Sequence, residues 1–168
     1  MIILGIDPGS RFLGYGVISV KGQTITAIDF GVLKFDGETP LAERLHDIGQ
    51  GVQELMRKFK PNHVSLEKIF LGKNADSAFK LGHARGVIIY EALIAGCEVH
   101  EYATRIVKKG ITGNGGAEKE QVRAVVCNLL RIPLLKSLDA SDALAMACFH
   151  SSQLRVLQIR KQLEKSAI

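Results

Sequence analysis

At 168 residues, with 46% hydrophobic and 23% charged side chains, the chain has the material for one globular domain with a buried core and leaves no room for a second catalytic domain. Its 22 Lys and Arg outnumber 17 Asp and Glu, giving a net charge of +5 and a pI of about 9.2, a balance that suits polyanionic partners without identifying one. No segment approaches the roughly 18 apolar residues of a membrane span. The three cysteines, Cys97, Cys127 and Cys148, lie in apolar contexts without CxxC spacing, so free buried thiols in a reducing cytoplasm are expected.

Residues 2–7, Ile-Ile-Leu-Gly-Ile-Asp, read as a strand buried on both faces that ends in a carboxylate. The stretch has no basic flank and runs straight into Asp7, which is not the pattern of a secretory leader. Residues 14–20 and 24–35 read as two more strands, and Lys21-Gly22-Gln23 supplies the turn between them, so an antiparallel meander is expected. Over residues 41–59 the apolar positions Leu41, Leu45, Ile48, Val52, Leu55, Met56 and Phe59 recur at three and four, which predicts a helix. After Pro61, residues 63–66 form a short strand that delivers Glu67. A second long helix is expected over 74–95, begun by Asn74 and Asp76 and stopped at Gly96. Then follow a strand over 97–102, a short basic helix over 104–109, a Gly-rich loop over 110–116 and a helix from about 117 to 130. The last helix starts near Ser137 and runs through His150 with a basic continuation. The expected organisation is a single α/β domain over 1–150, a mixed sheet flanked by helices, and a basic C-terminal helical extension or tail over 151–168.

Asp7 and Glu67 share a signature: each closes a short apolar strand and is followed by a loop. A buried carboxylate costs several kcal/mol unless a cation or hydrogen bonds compensate it. If the two strands are neighbours, both acids emerge at one sheet edge. Asp139 and Asp142, three apart at the start of the last helix, share a helix face and could join them. Four converging carboxylates require divalent cations; hard oxygen ligands suit Mg²⁺, with Mn²⁺ as substitute, and two such ions serve phosphodiester hydrolysis. With these four acids set aside, 22 basic residues face 13 acidic ones, a surplus of +9 for a surface that would hold a phosphate backbone.

Each feature also has a plainer reading. Asp139 fits a helix N-cap with Asp142 as its acidic partner, and Glu67 fits a strand-end charge. Ala78, Gly82 and Gly86 line one helix face with small residues, for packing either on their own sheet or on another helix. Asp7-Pro8-Gly9-Ser10-Arg11 matches the first phosphate loop of actin-like and sugar-kinase ATPases, but those folds need a second, duplicated domain to close on the nucleotide.

Several motifs in order identify a resemblance: residues 3–10 (Ile-Leu-Gly-Ile-Asp-Pro-Gly-Ser), Gly14-Tyr15-Gly16, Leu66-Glu67 with Phe70, residues 73–78 (Lys-Asn-Ala-Asp-Ser-Ala), Leu81-Gly82, Ala84-Arg85-Gly86, Ala117-Glu118-Lys119 and residues 139–143 (Asp-Ala-Ser-Asp-Ala). From residue 1 to about residue 150 the chain resembles the RuvC family of Holliday junction resolvases. The resemblance implies a ribonuclease-H-like five-stranded sheet, a homodimer, and Mg²⁺-dependent cutting of opposed strands of a four-way DNA junction, with two ions per active site. It also implies RuvA and RuvB as branch-migration partners. By the same resemblance Asp7, Glu67, Asp139 and Asp142 are metal ligands and catalytic acids. Lys119 and Lys108 look like the family's phosphate-neutralising and DNA-contacting positions, so Lys119 is expected to be catalytic and to contact DNA, and Lys108, with Phe70 and Lys73, is expected to contact DNA. The last acid position is sometimes His in the family and here is Asp142; the position after Glu67 is often Gln and here is Lys68, which adds charge beside the cleft. Lys119 has support of its own, because a cation in the first turn of a helix opposes the macrodipole. Phe70, in a loop beside Glu67, could stack on an unpaired base or staple the following helix, and Lys108 beside Lys109 could equally be a solvated charge. The alternatives to a resolvase are a related nuclease acting on structured RNA or RNA/DNA hybrid, and a junction-binding protein without catalysis.

Overall fold

The structure is a computed structural model that describes residues 1–68 and 75–166, the stretch 158–166 as backbone. Strands β1 (Ile2–Asp7), β2 (Phe12–Lys21) and β3 (Thr24–Lys34) form the expected antiparallel meander. On the other side of β1, β4 (His63–Glu67) and β5 (Glu98–Tyr102) add in parallel, so the sheet order is β3-β2-β1-β4-β5. Helices α1 (Leu41–Phe59) and α2 (Ala75–Ile94) cover one face, and α3 (Thr104–Thr112), α4 (Lys119–Leu130) and α5 (Leu138–Ser166) the other. This mixed five-stranded sheet between two helical layers is the ribonuclease-H-like architecture.

Side-chain alternation along each strand decides which core a residue joins. In β1, Leu4 and Ile6 enter the core with α1 and α2, while Ile3 enters the core with α4 and α5, so Gly5 and Asp7 follow Ile3 to the α5 face. In β4, Val64 and Leu66 point to the α1 and α2 layer, which turns His63, Ser65 and Glu67 to the α5 face. Parallel pairing sets Ile6 beside Leu66, and so brings Asp7 and Glu67 to the same end of neighbouring strands.

Helix α5 lies directly on β1 and β2. A Cβ at Gly5 would sit 1.9 Å from the Ala143 carbonyl oxygen, and one at Gly14 would sit 2.2 Å from that of Asp139. Glycine at these two positions is what lets the helix backbone approach the strands so closely.

Strand β2 starts two residues before its expected position, at Phe12, and the Gly-rich loop is shorter than expected. Helix α3 continues through Gly110, and the loop begins only at Gly113, whose N–H donates to the Lys109 carbonyl and closes the last turn. Helix α5 continues unbroken to Ser166; Leu154 packs on the core and the Arg155 guanidinium donates to the Gln23 carbonyl at 2.7 Å, fastening the extension to the β2–β3 turn. Cys97, Cys127 and Cys148 are buried free thiols. No helix among the described residues is long and apolar enough to cross a membrane.

Replacing Gly5 by Ala forces α5 off the sheet. Urea denaturation of Gly5→Ala should show a loss of about 3 kcal/mol, the upper range for overpacking a well-filled core; an unchanged midpoint would show that the seam yields freely.

Candidate active site

Where β1 and β4 end, a cleft of about 110 Å³ is lined by Asp7, Glu67, Thr104, Lys108, Lys119 and Asp142, with Val107, Val122, Ala145 and Met146 as its apolar walls. Asp7 arrives on β1, Glu67 on β4, Thr104 and Lys108 on α3, Lys119 on α4 and Asp142 on α5. Asp139, one turn before Asp142, stands at the margin: it acts on Asp7 electrostatically, less than Asp142 or Glu67 does, and does not line the cleft.

The capping reading of Asp139 and Asp142 is not what the helix adopts. Ser137 takes the N-cap position, its Oγ accepting from the Ala140 N–H at 3.3 Å, and the Ser141 hydroxyl donates to the Leu138 carbonyl at 2.7 Å. With the N-cap filled by Ser137, neither aspartate is needed as the cap.

Burial, reinforced by the neighbouring Asp142 and Glu67, raises the Asp7 carboxyl from 3.8 to about 7, although Lys119 pulls it down. Glu67 is also raised, by burial first and Asp142 second, with Lys119 and Lys108 opposing. Two side-chain contacts relieve this crowding, and a third holds the main chain at the end of β4. The Lys119 ammonium donates to Asp142 Oδ2 at 2.6 Å, the Thr104 hydroxyl donates to Glu67 Oε1, and the Arg85 Nε donates to the Glu67 carbonyl at 3.3 Å while its guanidinium pairs with Glu101. Lys119 is the first residue of α4, behind the Glu118 N-cap, whose own N–H donates to Gln121 Oε1 at 3.1 Å. It opposes the helix dipole yet faces the acids. Lys108 is half-buried and donates to the Ala117 carbonyl at 2.7 Å, so it belongs to the cleft, whereas Lys109 is solvated.

Phe70 and Lys73 lie outside the described residues, as does the cap candidate Asn74. Lys68 is exposed beside Glu67. Thr104 and Arg85 are site residues that the sequence reading did not assign. The only signal for Thr104 is a hydroxyl residue opening a helix directly after a strand, and Arg85 is legible only as part of a motif.

A sheet of this order, with acids on its two central parallel strands and on the helix laid across them, defines the ribonuclease-H-like class of nuclease folds. Within that class, the sequence model described as crossover junction endodeoxyribonuclease RuvC matches residues 3–150, and the chain belongs to this family. It is 55% identical over 155 residues to the crossover junction endodeoxyribonuclease RuvC of Bdellovibrio bacteriovorus, covering 92% of each chain. It is also similar to Thermus thermophilus RuvC in complex with Holliday junction substrate, with a TM-score of 0.87, 34% identity, and 93% of this chain and 96% of that one covered. The yeast mitochondrial Holliday junction resolvase, 12% identical with a TM-score of 0.71 over 99% of this chain and 86% of its own, shares the fold alone.

Because the folded-state pKa of Asp7 is raised, the folded protein holds a proton that the unfolded chain releases near pH 4. Metal-free protein therefore loses stability as pH rises from about 4 to about 7, by up to about 4 kcal/mol from this group. In urea denaturation with EDTA, Asp7→Asn should match wild type near pH 4 and be more stable at pH 8. A gap that does not widen with pH would contradict this electrostatic account.

Proposed function

We propose that this protein resolves Holliday junctions by metal-dependent hydrolysis of phosphodiesters in opposed strands of a four-way DNA junction. The observation that carries the reading is the seating of Asp7, Glu67 and Asp142 with Lys119 in one cleft, in a chain similar to a RuvC seen with junction substrate. The anionic groups of the cleft are all carboxylates, with no His or Cys in its lining, and its most buried carboxyl is pushed toward neutrality by burial and the neighbouring acids, a ligand set that fits Mg²⁺ or Mn²⁺. Asp7, Glu67 and Asp142 would hold the ions, with Asp139 at the margin. A pair of such ions held there would supply an activated water for in-line attack and charge stabilisation for the leaving 3′ oxygen.

The remaining work falls to the chain's own side chains. Thr104 fixes one oxygen of Glu67 and so sets where the other points. Lys119 neutralises Asp142, and its ammonium stands where it would offset the negative charge that builds on a phosphate held in the cleft. Lys108, with Phe70 and Lys73 from the sequence ahead of α2, would complete the DNA-contacting set.

The stripe of Ala78, Gly82 and Gly86 does not pack on its own sheet, for which α2 uses Ala84, Ile88 and Ala92. A Cβ on Gly82 or Gly86 would meet no atom of the described residues within 4 Å, and the same surface exposes Phe79 at 70%. An apolar hollow of about 580 Å³ there, lined by Leu45, Phe79, Gly82 and Val87 among others, supports a homodimer through α2, which would give each opposed strand its own active site. RuvA and RuvB are the partners this reading supplies, and action on DNA together with three free thiols supports a cytoplasmic location.

Metal-stripped protein should cut a synthetic four-way junction only after Mg²⁺ is added, and should leave linear duplex and RNA/DNA hybrid largely intact. Asp7→Asn should bind the junction in a gel-shift assay and fail to cut it. Equal cleavage of all three substrates would sink the resolvase reading, and cleavage in EDTA would sink the metal-dependent mechanism. In sedimentation the wild type should run as a dimer and Phe79→Glu as a folded monomer; a wild type that is active and strictly monomeric would contradict the paired-strand arrangement.

A further inference from the structure

Three histidines from three elements converge on the α5 face, away from the carboxylates. His63 opens β4, His100 lies within β5, and His150 projects from α5. Glu67 ends β4 four residues after His63, about 13 Å away at a strand rise of about 3.3 Å, and Asp142 precedes His150 by eight residues, about 12 Å along the helix. The cluster is therefore separate from the nuclease cleft.

Its geometry is that of a coordination sphere. One ring nitrogen from each histidine can be chosen so that all lie within 4.8 Å of one another. His63 Nδ1 and His100 Nε2 are 3.4 Å apart, and Glu98 Oε2 lies 3.7 Å from the first and 3.5 Å from the second. A tetrahedral ion with bonds of about 2.0–2.1 Å separates its ligands by about 3.3–3.4 Å, so these three atoms already approximate one face of such a tetrahedron.

His150 supplies an independent observation. It is 1% exposed, its Nδ1 stands 2.7 Å from the Tyr102 hydroxyl, and its Nε2 is buried without a hydrogen-bond partner. With Nδ1–H donating to Tyr102 Oη, Nε2 carries an unshared lone pair, the arrangement by which a second partner orients a metal-binding imidazole. The ring centroid of His150 is 4.2 Å from that of His100 and 5.1 Å from that of His63.

We propose that His63, His100, His150 and Glu98 form a second metal site, selective for a Zn²⁺-class transition metal and structural in role, which staples β5 and α5 to β4. Three imidazoles and one carboxylate suit a borderline-soft ion and disfavour Mg²⁺. Four protein ligands leave no open position for chemistry.

Metal-stripped full-length protein, with excess Mg²⁺ to occupy the carboxylate cleft, should bind one Co²⁺ per chain that shows the visible absorption bands of four-coordinate cobalt. Zn²⁺ should displace those bands, excess Mg²⁺ should not, and Zn²⁺ should raise the Tm. His100→Asn, at a partly exposed position, should weaken Co²⁺ binding at least about 100-fold, beyond what loss of an orienting partner alone costs. Glu98→Gln, on the exposed side, should weaken it less, and Asp7→Asn should leave it unchanged. Absence of stoichiometric Co²⁺ binding by wild type, bands that survive in His100→Asn, or bands lost in Asp7→Asn would each overturn the proposal.

Discussion

The close seating of α5 on the glycines of β1 and β2 is the constraint on which the cleft depends. Asp139 and Asp142 carry their carboxylates on a single methylene and cannot reach far from their helix. Asp142 meets the cleft only because the α5 backbone sits almost in contact with the strand backbones at Gly5 and Gly14. The same seating buries Ala143, Leu144 and Ala147, so the apolar contacts that hold the sheet to its helix also set the position of the acid. Packing and site geometry are here one interaction, since a helix displaced by the width of a methyl group would lose both.

The cleft itself works against the fold. Burial and mutual repulsion raise Asp7 and Glu67, and the relief available within the chain comes from the Lys119 bond to Asp142 and the Thr104 bond to Glu67. Two apolar cores, one on each face of the sheet, supply the stability that tolerates this conflict. A cluster that is unfavourable by itself and is relieved by positive charge has the electrostatic character expected of a site that takes up cations and polyanionic DNA.

Strand β4 shows the same conflict along its whole length. One face is apolar, while the other carries His63, Ser65 and Glu67 under α5, with the Ser65 hydroxyl buried and without a hydrogen-bond partner. Imidazoles gather at its N-terminal end and carboxylates at its C-terminal end. The two ends therefore differ in ligand chemistry, soft enough for transition metals at one and hard at the other.

Much of this was legible in the residues. The apolar run into Asp7 and the similar run into Glu67 marked two buried strands with misplaced charges, and helical periodicity marked α1 with its observed bounds. Other features were not. The spacing of Asp139 and Asp142 fitted a cap equally well until Ser137 was seen to occupy that position. The small-residue stripe of α2 could face inward or outward until Ala84 and Ile88 were found against the sheet. Thr104, Arg85 and the three histidines carry little local signal, because each meets partners from other elements of the fold. The sequence by itself determined the elements, the faces of the strands and the family, since periodicity and motif order are local properties of a chain. Only the tertiary structure decided which polar groups share a cleft, because parallel strand pairing and the seating of α5 join residues whose separation in sequence says nothing of their distance in space.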